Sequence, residues 1–368
     1  MRLASIELRL VALPLVRPFR TSFGTETAKE CVLVRVETAE GAVGWGESVT
    51  GPDPGFSEEW NEGLWLVLRD FLAPAAFATD VDPAGLASAL AGVRGHPMAK
   101  AALVNAVLDA ELRIQGRSLA SYLGADRERV ECGVSVGITP TTEELLDQVA
   151  GYLADGYRRI KLKIEPGTDV ERVGAVREAN PDILLSVDAN AAYTLADAGT
   201  FRDLDAYRLL MVEQPLHHED LVQHAALQGQ IATDICLDES IRSADHAAAA
   251  FELGACRVVN IKQGRVGGLL EAVRVHDVAH SQGAPVWCGG MLETGIGRAA
   301  NLALAALPGF TLPGDTSASA RYFADDLTTP FEMAADGTMA VPDGPGLGVE
   351  PRADRLEACT LRAEILRP

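Results

Sequence analysis

Five ionisable residues, Lys163, Asp188, Glu213, Asp238 and Lys262, follow one another at intervals of 25, 25, 25 and 24 residues. Each closes a short run of apolar and β-branched residues, so each is a reactive side chain at the exit of a strand. Three acids flanked by two amines suggest acid/base chemistry around a bound cation. The step is the length of one strand, one loop and one helix, which makes the series consecutive βα units of a parallel barrel. Active sites in such barrels lie where the strands end.

Residues two apart in a strand face the same way. Lys161 and Lys163 therefore point together, as do Ser186, Asp188 and Asn190, Cys236 and Asp238, and Asn260 and Lys262. Leu162, Val187, Leu237 and Ile261 face the surrounding helices. That sends the charged set into the barrel, where burial is costly unless charges pair or bind metal. Asp188, Glu213 and Asp238 would repel one another without a cation. Three oxygen donors with no Cys or His pattern suit a hard divalent ion, Mg2+ first and Mn2+ as the alternative. Zinc prefers His and Cys. The competing reading is that the acids merely pair with the barrel lysines; three acids at equal strand positions weigh against it.

Lys163 and Lys262 straddle the carboxylates, an arrangement suited to handling a proton on either face of one carbon. A free lysine has a pKa of about 10.4, so a base poised near neutrality needs roughly 4 to 5 kcal/mol of differential destabilisation of its charged form. Lys161 and the metal can each push Lys163 that way. A lone strand lysine is ordinarily an edge charge, but KLK on an apolar strand points to function. A metal bound to a substrate carboxylate would stabilise the enediolate left when the α-proton departs.

The elements that must hold these residues are legible in the rest of the chain. Residues 1 to about 50 alternate in short runs (IELRLVALPL, CVLVRVETAEG, AVGWGES) broken by Gly, Pro and Thr, an antiparallel meander. After a TGPDPG loop come helical segments from about Glu58 to Leu123, and the boundary falls near residues 125 to 131. VECGVSVGI, RRIKLKI, DILLSVDAN, RLLMVEQPL, DICLDES, RVVNIK and APVWCGG then read as strands, each followed by a helix-length segment; Thr142 is a candidate cap. With a closing strand near FTLPGD these make an α/β fold, a modified (β/α)7β TIM-type barrel. The tail from about Thr316 folds back on the N-terminal block. The expected division is 1–128, 129–315 and 316–368.

At 368 residues the chain suits a barrel plus a smaller domain. Its net charge of −20 opposes general attraction to nucleic acid or anionic membrane. An anionic small substrate would need a local cationic pocket. Cys31, Cys132, Cys236, Cys256, Cys288 and Cys359 form no CxxC pair and read as buried thiols of a cytoplasmic protein. No stretch has the length of a membrane span, and the N-terminus alternates like a strand rather than a signal peptide.

Taken together, PFRTSFG, GYRRIKLKI, SVDANAAYTL, VEQPL, LDES, NIKQGRVGG and CGGMLETGIGRAAN resemble the enolase superfamily, muconate-lactonising-enzyme subgroup. Within it the chain is most similar to the N-acylamino acid racemase / o-succinylbenzoate synthase family. The resemblance covers nearly the whole chain and implies an α+β capping domain built from the N-terminal segment and the C-terminal tail. It implies Asp188, Glu213 and Asp238 as metal ligands, Lys163 and Lys262 as the acid/base pair, and Lys161 as a tuning, carboxylate-contacting residue. Superfamily sites of this kind use a Lys or His base with Mg2+. In the synthase one lysine abstracts a proton before water leaves while the other stabilises; in racemisation both exchange protons.

The same resemblance makes the loop with Phe19 and Phe23 a cover over the substrate, the alternative being a hydrophobic hairpin core. Ser135, Asn190 and Gly289, Gly290, Met291 and Leu292 are candidate substrate contacts, and Arg265 resembles an arginine that orients the second lysine. Gln263 stands where relatives carry proline, and the loop at Thr50 where they carry a bulkier residue. Glu293 and Asp315 are further acids at strand ends. Dipeptide epimerase and muconate cycloisomerase are the runner-up activities; a lone Asp315 in LPGDTSAS, rather than Asp-x-Asp, counts against the former. From other classes, a metal- or acid-binding barrel without turnover and a metal-dependent aldolase stay open. Relatives suggest a homo-oligomer, a dimer or an assembly of dimers.

Two motifs read as decoys. Gly295, Gly297 and Ala300 spell GxGxxA before a helix, but GGMLET intervenes between strand and glycines, against NAD binding. His276 and His280 lack the Glu of HExxH and are expected on the solvent side of a barrel helix. His217 and His218 follow EQPL, near the site mouth or simply in a loop.

Overall fold

The computed structural model of the chain describes residues 1–78, 80 and 82–368. Thirteen strands are present among them: β1 (Leu3–Arg20), β2 (Thr25–Thr38), β3 (Val43–Glu47), β4 (Arg129–Glu131), β5 (Gly133–Val136), β6 (Arg159–Lys163), β7 (Leu184–Asp188), β8 (Val212–Glu213), β9 (Ile235–Leu237), β10 (Val258–Ile261), β11 (Val286–Cys288), β12 (Thr338–Ala340) and β13 (Thr360–Leu366). Strands β5 to β11 form one curled parallel sheet in chain order, and β13-β1-β2-β3 form an antiparallel sheet. The C-terminal strand β13 pairs with β1.

The α/β fold read from the sequence is the one observed, with two local differences. FTLPGD does not form a laddered strand; it joins the sheet through isolated bridges, Val286 with Phe310 and Cys132 with Gly314. Pro313, inside this segment, lacks the N–H a regular ladder needs. VECGVSVGI is two strands, since β4 leaves the barrel to pair with β12 while β5 starts the parallel sheet. Thr141, not Thr142, caps the helix Thr142–Ala154, accepting from the Glu144 amide. No helix among the described residues is long and apolar enough to cross a membrane.

The antiparallel sheet is apolar on both faces, and this is how it joins the two layers. Val32, Val34 and Val36 pack into one core with the helix Pro97–Gln115, whereas Cys31 and Leu33, one residue out of phase, join the core shared with the barrel. At β3 the helix comes so close that only hydrogen fits. A Cβ on Gly46 would lie 2.0 Å from the Ala102 carbonyl oxygen, and one on Gly44 2.1 Å from that of Ala106. Below the barrel mouth Trp287, Met211, Cys236 and Val258 fill the interior.

Candidate active site

At the ends of β6 to β10 the five residues of the series meet, carried there by register. Lys163 pairs with Asp188 across β6 and β7, and Asp188 with Glu213 across β7 and β8. Glu213 is paired with Cys236, so Asp238 stands two residues further out along its chain. Lys163 Nζ donates to Asp188 Oδ2 at 2.7 Å and to Asn190 Oδ1 at 2.6 Å. Lys161 Nζ lies 3.2 Å from Asp188 Oδ2, 3.0 Å from Glu213 Oε2 and 2.7 Å from Asp315 Oδ2. On the other flank Lys262 Nζ lies 2.8 Å from Asp238 Oδ2. Every carboxylate of the series thus faces a lysine, the pairing that the competing sequence reading anticipated. Among the described residues no three His, Cys, Asp or Glu side chains are gathered as a ready metal cage.

Burial raises each of these carboxyls, and the charges around them decide the net result. Lys163 and Lys161 outweigh burial at Asp188 and hold it below the usual carboxylate range. Glu213 is pushed up to about 8 by burial and by Asp188, against the pull of Lys161. Glu239 is pushed up to about 7 by burial, Asp238 and Asp188. Its Oε1 accepts from Asn190 Nδ2 at 3.0 Å, but Oε2 has no hydrogen-bond partner. Asp238 Oδ2 also lacks a well-directed hydrogen bond despite its contact with Lys262. Burial lowers Lys262, yet Asp238 and Glu239 hold it above the ordinary lysine value; Asp315, Glu213 and Asp188 do the same for Lys161. At Lys262, one of the two candidate bases, the surrounding acids therefore oppose any downward tuning.

The donor set fits a hard divalent cation. It offers carboxylates on three neighbouring strands, buried carboxylate oxygens without a directed donor, and two carboxyls raised by burial and by the carboxylates beside them.

Above this cluster lies a cavity of about 300 Å3 between the barrel and the antiparallel sheet. Lys161, Lys163 and Lys262 line it, with the carboxylates of the series behind them. Phe19, Phe23, Ser135, Asn190, Gly290, Met291 and Leu292, chosen from the sequence, also line it. Arg265 does not: its Nη2 donates to Asp238 Oδ1 at 2.7 Å from behind, so it reaches Lys262 only through their shared carboxylate. Phe23 is 41% exposed and meets Phe56, the residue after TGPDPG, ring centroids 5.4 Å apart, over the cavity. Two ion pairs tie these loops down, Arg20 to Glu165 at 3.1 Å and Arg242 to Glu58 at 2.7 Å. Gln263 Oε1 accepts from Asn105 Nδ2 at 2.6 Å, a bond between barrel and capping helix that a proline could not make.

Several residues here were not singled out from the sequence. Arg159 shares the parity of Lys161 and Lys163; it is fully buried, donates to Asp315 at 2.6 Å and lies over Trp287. Period-two spacing could have found it. Glu239 adjoins Asp238 in LDES. Glu47 accepts from Thr294 N, Thr294 Oγ1 and Gly297 N at 2.9, 2.6 and 2.8 Å, so a protein carboxylate already fills the helix N-terminus of the GxGxxA decoy. His276 is buried against Phe310 rather than solvent-facing, as the barrel-side stripe of its helix requires; His280 is exposed. His218 lines a separate outer cavity beside the Phe56 loop.

The family model of the enolase C-terminal domain-like proteins matches residues 144–355, and that of the mandelate racemase / muconate lactonizing enzyme N-terminal domain matches residues 5–124. An N-succinylamino acid racemase from Amycolatopsis is 58% identical over 98% of this chain and 98% of its own length. An o-succinylbenzoate synthase from Geobacillus kaustophilus is 48% identical over 97% of this chain and 96% of its own. A solved enolase-superfamily structure from Listeria innocua superposes with a TM-score of 0.96 at 40% identity, covering 100% of this chain and 99% of that one. With both family models matched and relatives at these identities, the chain is an enzyme that belongs to the enolase superfamily, in its mandelate racemase / muconate-lactonising branch.

Proposed function

We propose that this enzyme removes the α-proton of a carboxylate substrate with Mg2+, or Mn2+ in its place, held by Asp188, Glu213 and Asp238. Its activities are N-succinylamino acid racemisation and o-succinylbenzoate synthesis. The observation that carries the reading is the placement of Lys163 and Lys262 on opposite flanks of the carboxylates, both lining one cavity. The metal would supply Lewis-acid stabilisation of the negative charge that develops on the substrate carboxylate. Lys161, covering Asp188 and Glu213, would meet that carboxylate directly. Lys163 Nζ would take or return the proton on one face of the α-carbon and Lys262 Nζ on the other. In the dehydration one of them abstracts and the other stabilises. Phe19, Phe23 and Phe56 would exclude water above.

Relatives bearing each of the two names support this pair of activities. Asp315 is held by Arg159 and Lys161, which leaves it no part in binding a substrate ammonium and counts against a dipeptide epimerase. In this reading residues 129–315 carry the chemistry while 1–128 and 316–368 cover it. A cytoplasmic homo-oligomer, dimeric or assembled from dimers, completes the reading; six buried free cysteines accord with a reducing compartment.

The test is incubation of N-succinyl amino acids with Mg2+ in D2O, followed by NMR. Loss of the α-proton signal that stops with EDTA is expected. A broad panel of acylamino acids with no exchange overturns the racemase, and absence of o-succinylbenzoate when its hydrated precursor is supplied in a separate incubation with Mg2+ overturns the synthase.

A further inference from the structure

We propose that Lys29 forms a subsite for a second carboxylate, the distal one of a succinyl group, and so makes the enzyme selective for dianionic substrates. The inference rests on the reading above, which places the first carboxylate at Lys161.

Lys29 sits on β2 opposite Leu13. It shares strand parity with Cys31 and Leu33, which face the barrel, so its side chain is sent towards the barrel mouth rather than the helices. It lines the active-site cavity and is only 3% exposed. Three other lysines line the same cavity, and each lies within 2.8 Å of a carboxylate oxygen. Among the described residues the Lys29 ammonium makes no hydrogen bond and no ion pair, although its backbone belongs to the β1–β2 ladder. Glu47 acts on it only from beyond contact distance, and that carboxylate's bonds go to Thr294 and Gly297. A buried ammonium without a counter-ion at contact is an expensive feature to keep in a cavity wall. A ligand carboxylate would gain charge-assisted hydrogen bonds from it in a site already shielded from water. Both activities named for relatives involve a succinyl group, whose carboxylate is separate from the one at the reacting carbon. The rival account is that Lys29 serves only to offset Glu47 and Glu26 at a distance.

N-succinyl-phenylalanine and its N-succinamoyl analogue, which exchanges the distal carboxylate for an amide of the same shape, separate the two accounts. The wild-type enzyme with Mg2+ should prefer the succinyl compound by at least tenfold in kcat/KM. Lys29→Met should bring that ratio towards one, mainly through a higher KM for the succinyl compound, and Lys29→Arg should keep most of it. Equal turnover of both compounds by the wild type overturns the subsite, as does an undiminished ratio in a folded Lys29→Met enzyme. If that variant does not fold, Lys29→Gln takes its place, and the wild-type comparison stands without any variant. If no compound exchanges its α-proton, the general reading has failed instead. Calorimetric binding of the two compounds then judges Lys29 by the same ratio.

Discussion

Lys163 and Asp188 are register partners on adjacent parallel strands, and their side chains meet at 2.7 Å. An interval of 25 residues in the chain has become one lateral step in the sheet. Lys262 and Asp238 make the corresponding pair on the other flank at 2.8 Å, and Glu213 lies between the two. Lys163 is the last residue of β6 and Lys262 the first past β10, so both amines are anchored at strand ends rather than far out in loops, the precision that proton transfer at a single carbon requires.

If the two lysines act on opposite faces, Lys163→Ala and Lys262→Ala should each lower kcat for racemisation at least 1,000-fold, about 4 kcal/mol in barrier. Circular dichroism should remain native-like. Each variant should lose α-proton exchange most strongly from one enantiomer, and the two variants should differ in which. A fully active Lys262→Ala enzyme would refute the two-base scheme.

Asp315 is held by Arg159 and Lys161 inside the barrel, and removing one partner of a buried pair typically costs about 3 to 5 kcal/mol. Asp315→Asn should therefore lower the thermal midpoint by several degrees at neutral pH. Burial raises this carboxyl, but Lys161 and Arg159 outweigh it and hold it below its ordinary value. A depressed acid stabilises the fold above its unfolded pKa of about 3.9 and stops doing so as pH falls through the folded value. The gap between wild type and variant should accordingly narrow below pH 4. A gap that persists unchanged to pH 2 would contradict the network.

Gly46→Ala tests how the capping helix is seated. The new methyl would fall 2.0 Å from the Ala102 carbonyl oxygen, a backbone atom that no rotamer change can move. Strand and helix must separate, so a loss of about 3 kcal/mol or more is expected, at the upper end of overpacking effects. Chemical denaturation checks it; a midpoint within error of wild type would show that the interface yields easily.

What the sequence revealed follows from which signals are local. Strand parity and the recurring interval located Lys161, Lys163, Asp188, Glu213, Asp238 and Lys262 because each βα unit repeats the same geometry. The same parity extends to Arg159, whose partner Asp315 lies 156 residues away and carries no spacing signal. Lys29, Glu47 and Phe56 come from the antiparallel block, where the route to the barrel mouth depends on how two layers dock. Arg265 resembles an arginine that orients the second lysine, and the turn after β10 sends it behind Asp238, where it reaches Lys262 only through that carboxylate. The lysine–carboxylate pairing was anticipated only as the weaker alternative, since spacing places charges near one another without saying which will touch.

Glu59 offers a pH-dependent test of the loop that carries Phe56. The helix Pro97–Gln115 begins after His96, which is in a left-handed conformation and supplies no side-chain cap. Glu59 reaches across to accept from the Met98 and Ala99 amides at 2.8 and 3.1 Å. Burial pushes its carboxyl up to about 7 even against those two bonds. A raised acid binds its proton more tightly in the folded state, so its stabilising effect is complete below the unfolded value of about 4.3 and is lost as pH rises through 7. Glu59→Gln cannot titrate and keeps one acceptor for the helix amides. Relative to it, the wild type should lose up to about 3 kcal/mol of unfolding free energy between pH 4.5 and 8. Urea denaturation of the two proteins across that range measures the difference directly, since other groups titrate alike in both. A constant difference would mean that Glu59 is ionised throughout and caps the helix as an ordinary surface acid would.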